Sequence, residues 1–209
     1  MTPFCQTILD KCTDVMAVDG YVRKRRGVVI RDVAPDMTGA VVLSHRGLGT
    51  GDVEITTFAQ VFWRPVEALY CIGCEERYRF TELPTLTSSV DMTEGEDLRP
   101  LYFTPGWSYA AEFARLHTHV RELVLPCVTA LADPERVAQS FAERVATGGG
   151  FPERYIAMRA WERRTLALDD DFEWVMSQLT LDEGKLEVCQ FYRTLQASER
   201  AAAILKRVS

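Results

Sequence analysis

At 209 residues, with 47% hydrophobic and 26% charged side chains, the chain has the composition of a folded globular protein, which excludes disordered, collagen-like and low-complexity classes. Its length fits one domain, or one domain with a helical extension. A net charge of −6, from 24 basic and 30 acidic residues, disfavours nucleic acid as a partner, because neutralising phosphates needs a basic footprint.

The first predicted element is a helix. Cys5, Ile8, Leu9, Cys12, Val15 and Met16 share one stripe at helical spacing. Thr2 is its natural N-cap, Pro3 fits the first helical position, and Gly20 is suited to end it. From Gly27 the period changes to two, and runs at 28–31, 40–44 and 53–58 predict three strands. The turn chemistry of 35–39 and 46–51 between them makes neighbouring strands antiparallel, a meander packed on the first helix.

Pro65 opens a short helix to about Glu76, with Val66, Leu69, Tyr70 and Gly73 at helical spacing. Prolines at 84, 100 and 105 break the next stretch into loops around strands near 83–90 and 101–103, at the edge of the sheet. After Gly106 the pattern is helical almost throughout. Ala110, Phe113, Leu116, Val120, Leu123 and Cys127 form one stripe, and Asp133-Pro134 caps and opens another helix. Stripes at 172–179, 188–195 and 201–208 follow, the last two out of phase, which predicts a break near Ala197-Ser198. Strands followed by helices define an α+β fold: an N-terminal helix on an antiparallel meander sheet in residues 1–105, then a helical part in residues 106–209, packed as one continuous domain or as two.

Several motifs carry potential chemistry. Cys71-Ile72-Gly73-Cys74 has the spacing of a zinc or redox pair, but no second pair accompanies it, and it sits late in a helix where the dipole does not favour thiolates. Buried thiols are the favoured reading, and an enzyme or metal site using Cys71 and Cys74 with His45 or His117 is the alternative. His117 and His119, two apart on a helix, point to opposite sides and cannot share an ion; His117 is expected to pack and His119 to face solvent. The glycines at 47, 49 and 51 join two strands and lack a Walker lysine, which makes them a hairpin loop. Asp169-Asp170-Asp171 precede a helix stripe and read as capping residues. Arg23-Lys24-Arg25-Arg26 reads as a solvated connection offset by Asp19, Asp32 and Asp36, with no aromatic platform for bases beyond Tyr21.

No secretory signal and no membrane-length apolar run is visible, so six cysteines are expected to be reduced and the compartment to be the cytoplasm. The helix ending in Asp19-Gly20-Tyr21-Val22-Arg23-Lys24-Arg25-Arg26, followed by Thr56, Phe58, Gln60 and Phe62 and the Pro65 helix, resembles a group of uncharacterised bacterial domains of unknown function, some of them immunity-protein-like. That resemblance implies no active-site residues. Together these features lead to the expectation of a non-catalytic, cytoplasmic protein-binding module, immunity-like or regulatory, without a cofactor. Its expected binding residues are Asp91, Glu94, Glu96 and Asp97, or the helical second half, facing a basic partner.

Overall fold

In a computed structural model, residues 1–75, 84–89, 100–148 and 150–206 are described. The fold is α+β, with an N-terminal helix, an antiparallel sheet of consecutive strands and a helical C-terminal half. The chain divides into two compact units, residues 1–61 with 86–132, and residues 62–85 with 133–209.

In the first unit, α1 (Pro3–Met16) starts where expected: the Thr2 hydroxyl accepts from the Cys5 N–H at 3.2 Å and Pro3 occupies the first turn. It ends at Met16, before Gly20, whose φ of +83° serves the turn into the sheet instead. Cys5, Ile8, Leu9, Cys12 and Met16 are all buried, in contact with the sheet and with a later helix.

The sheet runs β1 (Val22–Arg25), β2 (Val28–Ala34), β3 (Met37–Gly47), β4 (Val53–Trp63) and β5 (Leu86–Ser89) in that spatial order, while β6 (Leu101–Phe103) also pairs with β4. β5 takes the later part of β4, Phe58 to Val61, and β6 takes Val53 to Ile55, so two short strands share one neighbour. Two features differ from the sequence expectation. The turn after β2 is only Pro35-Asp36, and Met37, Thr38 and Gly39 already belong to β3. Gly39 is there for packing, since a Cβ would stand 2.9 Å from Val33 Cγ1 and would overlap Val128. Arg23, Lys24 and Arg25 of the basic run lie in an edge strand with every residue exposed, which blunts that edge against further pairing.

Over the sheet lie α3 (Ala110–His119), a π-helical turn (Val120–Val124) and α4 (Leu125–Leu131). Pro126 explains the π turn. In a regular helix its ring would clash with the carbonyl of Glu122, and it has no N–H to offer. The chain instead widens by one residue, and the Leu125 N–H reaches the Val120 carbonyl. The inserted residue rotates everything after it: the buried stripe becomes Leu116, Val120, Val124 and Val128, and the expected Leu123 is left exposed and Cys127 half-buried.

In the second unit, α2 (Arg64–Gly73) packs against α6 (Pro152–Arg163), α8 (Asp182–Ala197) and α9 (Glu199–Lys206), with α5 (Pro134–Ala146) and α7 (Asp169–Gln178) against α6. α6 is the centre of this unit; Ile156, Ala157, Met158, Ala160 and Trp161 are buried along it. Asp133 caps α5 and the break after Ala197 falls as the stripes predict. Contrary to the sequence expectation, the acids opening α7 do not cap it with a side-chain hydrogen bond: the N-cap is Leu168, and Asp169, Asp170 and Asp171 lie inside the first turn, where they face the positive end of the helix dipole. Asp171 is buried and ion-paired at 3.0 Å with both Arg159 and Arg163 of α6, which ties the two helices together. Among the described residues no helix is long and apolar enough to cross a membrane.

Candidate functional site

A cleft of about 400 Å³ opens within the second unit, lined by Tyr70, Gly73, Cys74, Glu75, Glu153, Glu187, Gln190 and Phe191. Its walls follow from helix periodicity. Tyr70, Gly73 and Cys74 stand at i, i+3 and i+4 near the end of α2, and Glu187, Gln190 and Phe191 stand at i, i+3 and i+4 on α8, so each helix presents one face. Glu153 enters from the first turn of α6, and Glu75 follows α2 in a left-handed conformation, φ +57°.

Gly73 shapes the cleft. A Cβ at that position would overlap the ring of Phe191, so only glycine admits the ring against α2. Phe191 and Tyr70 then lie with ring centroids 6.1 Å apart. Behind Tyr70, the guanidinium of Arg154 stacks on the ring at 4.4 Å. Arg154 is itself held by Glu67, its Nε donating to both carboxylate oxygens at 3.2 and 3.3 Å in a pair almost wholly out of solvent. Burial pushes the Glu67 carboxyl upward, and the Arg154 charge and the Thr85 hydroxyl pull it back.

The cleft is acceptor-rich. Burial raises the Glu153 carboxyl above its ordinary range; the bond from its own backbone N–H opposes this, the Glu187 charge adds to it, and Arg154 lowers it. The Tyr70 phenol is raised by burial and by its hydrogen bond with the Cys74 thiol, so it stays neutral at ordinary pH. Three glutamate side chains, a neutral phenol and a second aromatic ring line one opening. Such a lining suits a cation that can stack and accept charge-assisted bonds, and repels an anion.

The residues singled out from the sequence are placed as follows. Asp91, Glu94, Glu96 and Asp97 lie outside the described residues. Cys71 is buried in α2, and Cys74 lines the cleft. His45, near the exposed end of β3, and His117, half-buried on α3, belong to the other unit. Among the described residues, no three or more His, Cys, Asp or Glu are grouped so as to hold a metal ion. The loop of Gly47, Gly49 and Gly51 joins β3 to β4, closed by the Leu48 and Gly51 N–H groups on Asp52 and Leu48 carbonyls at 2.9 Å.

Two expectations are corrected. His119 does not face solvent: it is buried, its Nε2 lies 2.7 Å from the Thr57 hydroxyl of β4, and its Nδ1 has no partner among the described residues. The reason is phase, since 119 falls between Leu116 and Val120 on the buried stripe, at i+3 from the first. Arg23 and Arg26 of the basic run are offset by acids of α1 that the sequence expectation does not include. Arg23 and Arg26 both bind Asp10 of α1, and Arg23 also binds Asp14 at 2.9 Å, while Asp19 pairs with Arg121 and Asp32 accepts from Thr38. The hydrogen bonds from Arg26 and Arg23 hold the Asp10 carboxyl below its usual range.

The sequence did not reveal the cleft, because its walls come from three separated helices. One signal was present: a glycine inside an otherwise helical pattern, at Gly73, marks a close packing approach. Against protein-family models, curated proteins and solved structures, the chain has no match.

Proposed function

We propose that the chain is a non-catalytic protein-binding module, and that the cleft on its helical unit receives a lysine or arginine side chain of a basic partner. The observation that supports this reading is the cleft's lining, the side chains of Glu75, Glu153 and Glu187 together with the rings of Tyr70 and Phe191. A cation held there gains charge-assisted bonds from the carboxylates and a stacking contact from the rings. The net charge of −6 would steer such a partner in from a distance, which raises the association rate more than the final affinity. A cytoplasmic, immunity-like or regulatory role belongs to the same proposal.

Titration calorimetry with a capped arginine-rich peptide tests it. Binding to the native protein is expected, with weakening by about tenfold or more in a Glu153→Gln, Glu187→Gln double variant, as for loss of charged hydrogen bonds. Equal binding by the double variant, or equal binding of a glutamate-rich peptide, would exclude the cleft as the recognition site.

A further inference from the structure

We infer that the cleft admits its cationic side chain in exchange for a proton held on Glu153, so that partner binding is coupled to proton release. The inference rests on the reading of the cleft as a cation site and adds its regulation. The geometry is that of an asymmetric pair. Glu153 and Glu187 line the same opening from α6 and α8, but Glu153 is half-buried while Glu187 is exposed to solvent. Of the two, Glu153 is the one whose charge is least compensated by water.

The groups around Glu153 can be named element by element. From α8 comes Glu187, a like charge; from α2 come the neutral phenol of Tyr70 and, hydrogen-bonded to it, Cys74, with Glu75 just beyond. On α6 itself Glu153 bonds to its own backbone N–H, and Arg154 is committed to Glu67 and to the face of Tyr70. From α5, Arg144 is placed over the ring of Phe151. Among the described residues that line the cleft none is a cation, and the partial burial of Glu153 beside the Glu187 carboxylate shifts it toward the protonated form. An entering ammonium or guanidinium supplies the missing positive charge. The balance is simple: the Glu153 carboxylic acid loses its proton to solvent, and the resulting carboxylate pairs with the cation.

Calorimetry with the capped arginine-rich peptide in phosphate and in Tris or imidazole buffers, across pH 5 to 8, reads this directly, since the peptide does not titrate there. Affinity is expected to rise with pH, by up to about tenfold per pH unit where Glu153 is protonated in the free protein, and then to level off. Over the rising part the heat should differ between buffers by up to about one proton released per peptide bound. Glu187→Gln removes the like charge, so the midpoint of the rise should move to lower pH. Glu153→Gln should abolish the rise and the buffer dependence. Binding with no proton release and a flat pH profile would overturn the coupling while leaving the cation site intact. No binding at any pH would overturn the site itself.

Discussion

The ring of Phe191 fills the space where a side chain on Gly73 would begin: a Cβ there would stand 2.5 Å from Cδ2 and 2.7 Å from Cζ. Because Phe191 is also a wall of the cleft, one glycine links the packing of α2 on α8 to the shape of the candidate site. Gly73→Ala gains up to about 1 kcal/mol of helix propensity but overpacks the contact by about 1–3 kcal/mol, so a net loss of stability is expected. Peptide affinity should fall with it, as the ring is driven into the cleft. Urea unfolding and calorimetry on the same variant check both.

Glu67 and Arg154 form a pair with almost no solvent contact. Glu67→Ala leaves a buried guanidinium uncompensated and should cost about 3–5 kcal/mol, while replacing both residues by apolar ones of similar size should recover much of that. Chemical denaturation of the two single variants and the double variant measures the difference.

His119 gives the first unit a pH dependence. Burial, with the charge of Arg115 adding to it, lowers its pKa below the ordinary 6.5. The folded protein thus stays neutral at His119 down to a lower pH than the unfolded chain. Between those two values the unfolded chain holds the extra proton, so stability rises with pH and is lost as pH falls below about 6.5 toward the folded value. Thermal unfolding between pH 7 and pH 5 should show a falling Tm that His119→Gln flattens. Thr57→Val, which removes the partner of Nε2, should cost about 1–3 kcal/mol at pH 7.

The π turn predicts an unusual tolerance. Deleting Leu123, exposed and inside the turn, returns the segment to regular helical spacing while Val124 and Val128 keep their places against the core. A deletion inside α5, at Arg136, rotates every later residue of that helix by about 100° and displaces Val137, Phe141 and Val145 from the core. Because the regular helix would bring the Pro126 ring back against a carbonyl, the first deletion is made together with Pro126→Ala; circular dichroism and thermal melts should show that variant folded and the α5 deletion disrupted.

How far the fold is legible in the sequence depends on the range over which each signal acts. Local chemistry was legible: Thr2-Pro3 and Asp133-Pro134 start helices, alternation marks β4, and the phase change near Ala197 marks a break. What escaped depended on neighbours distant in the chain. Gly39 looked like turn chemistry but is excluded from bearing a side chain by Val33 and Val128. His119 lies on the buried side of its helix and not on the solvent side that the sequence predicts, and Leu123 and Cys127 are displaced by the residue that Pro126 forces into the helix. Arg23 and Arg26 did find acids, but on α1, which adjacency in sequence could not indicate. For the site, Cys74 was noticed for its spacing with Cys71, whereas its place in the structure is on the wall of a cleft completed by α6 and α8.

Cys74 also supplies the most direct test of the cleft as a site for a cationic side chain. It lines the cleft, whereas the half-buried Cys127 belongs to the other unit and serves as an internal reference. The rates at which iodoacetamide alkylates the two thiols can be followed by mass spectrometry, with and without saturating arginine-rich peptide. The account predicts that peptide slows alkylation of Cys74 and leaves Cys127 unchanged; unchanged rates at both thiols under saturating peptide would contradict it.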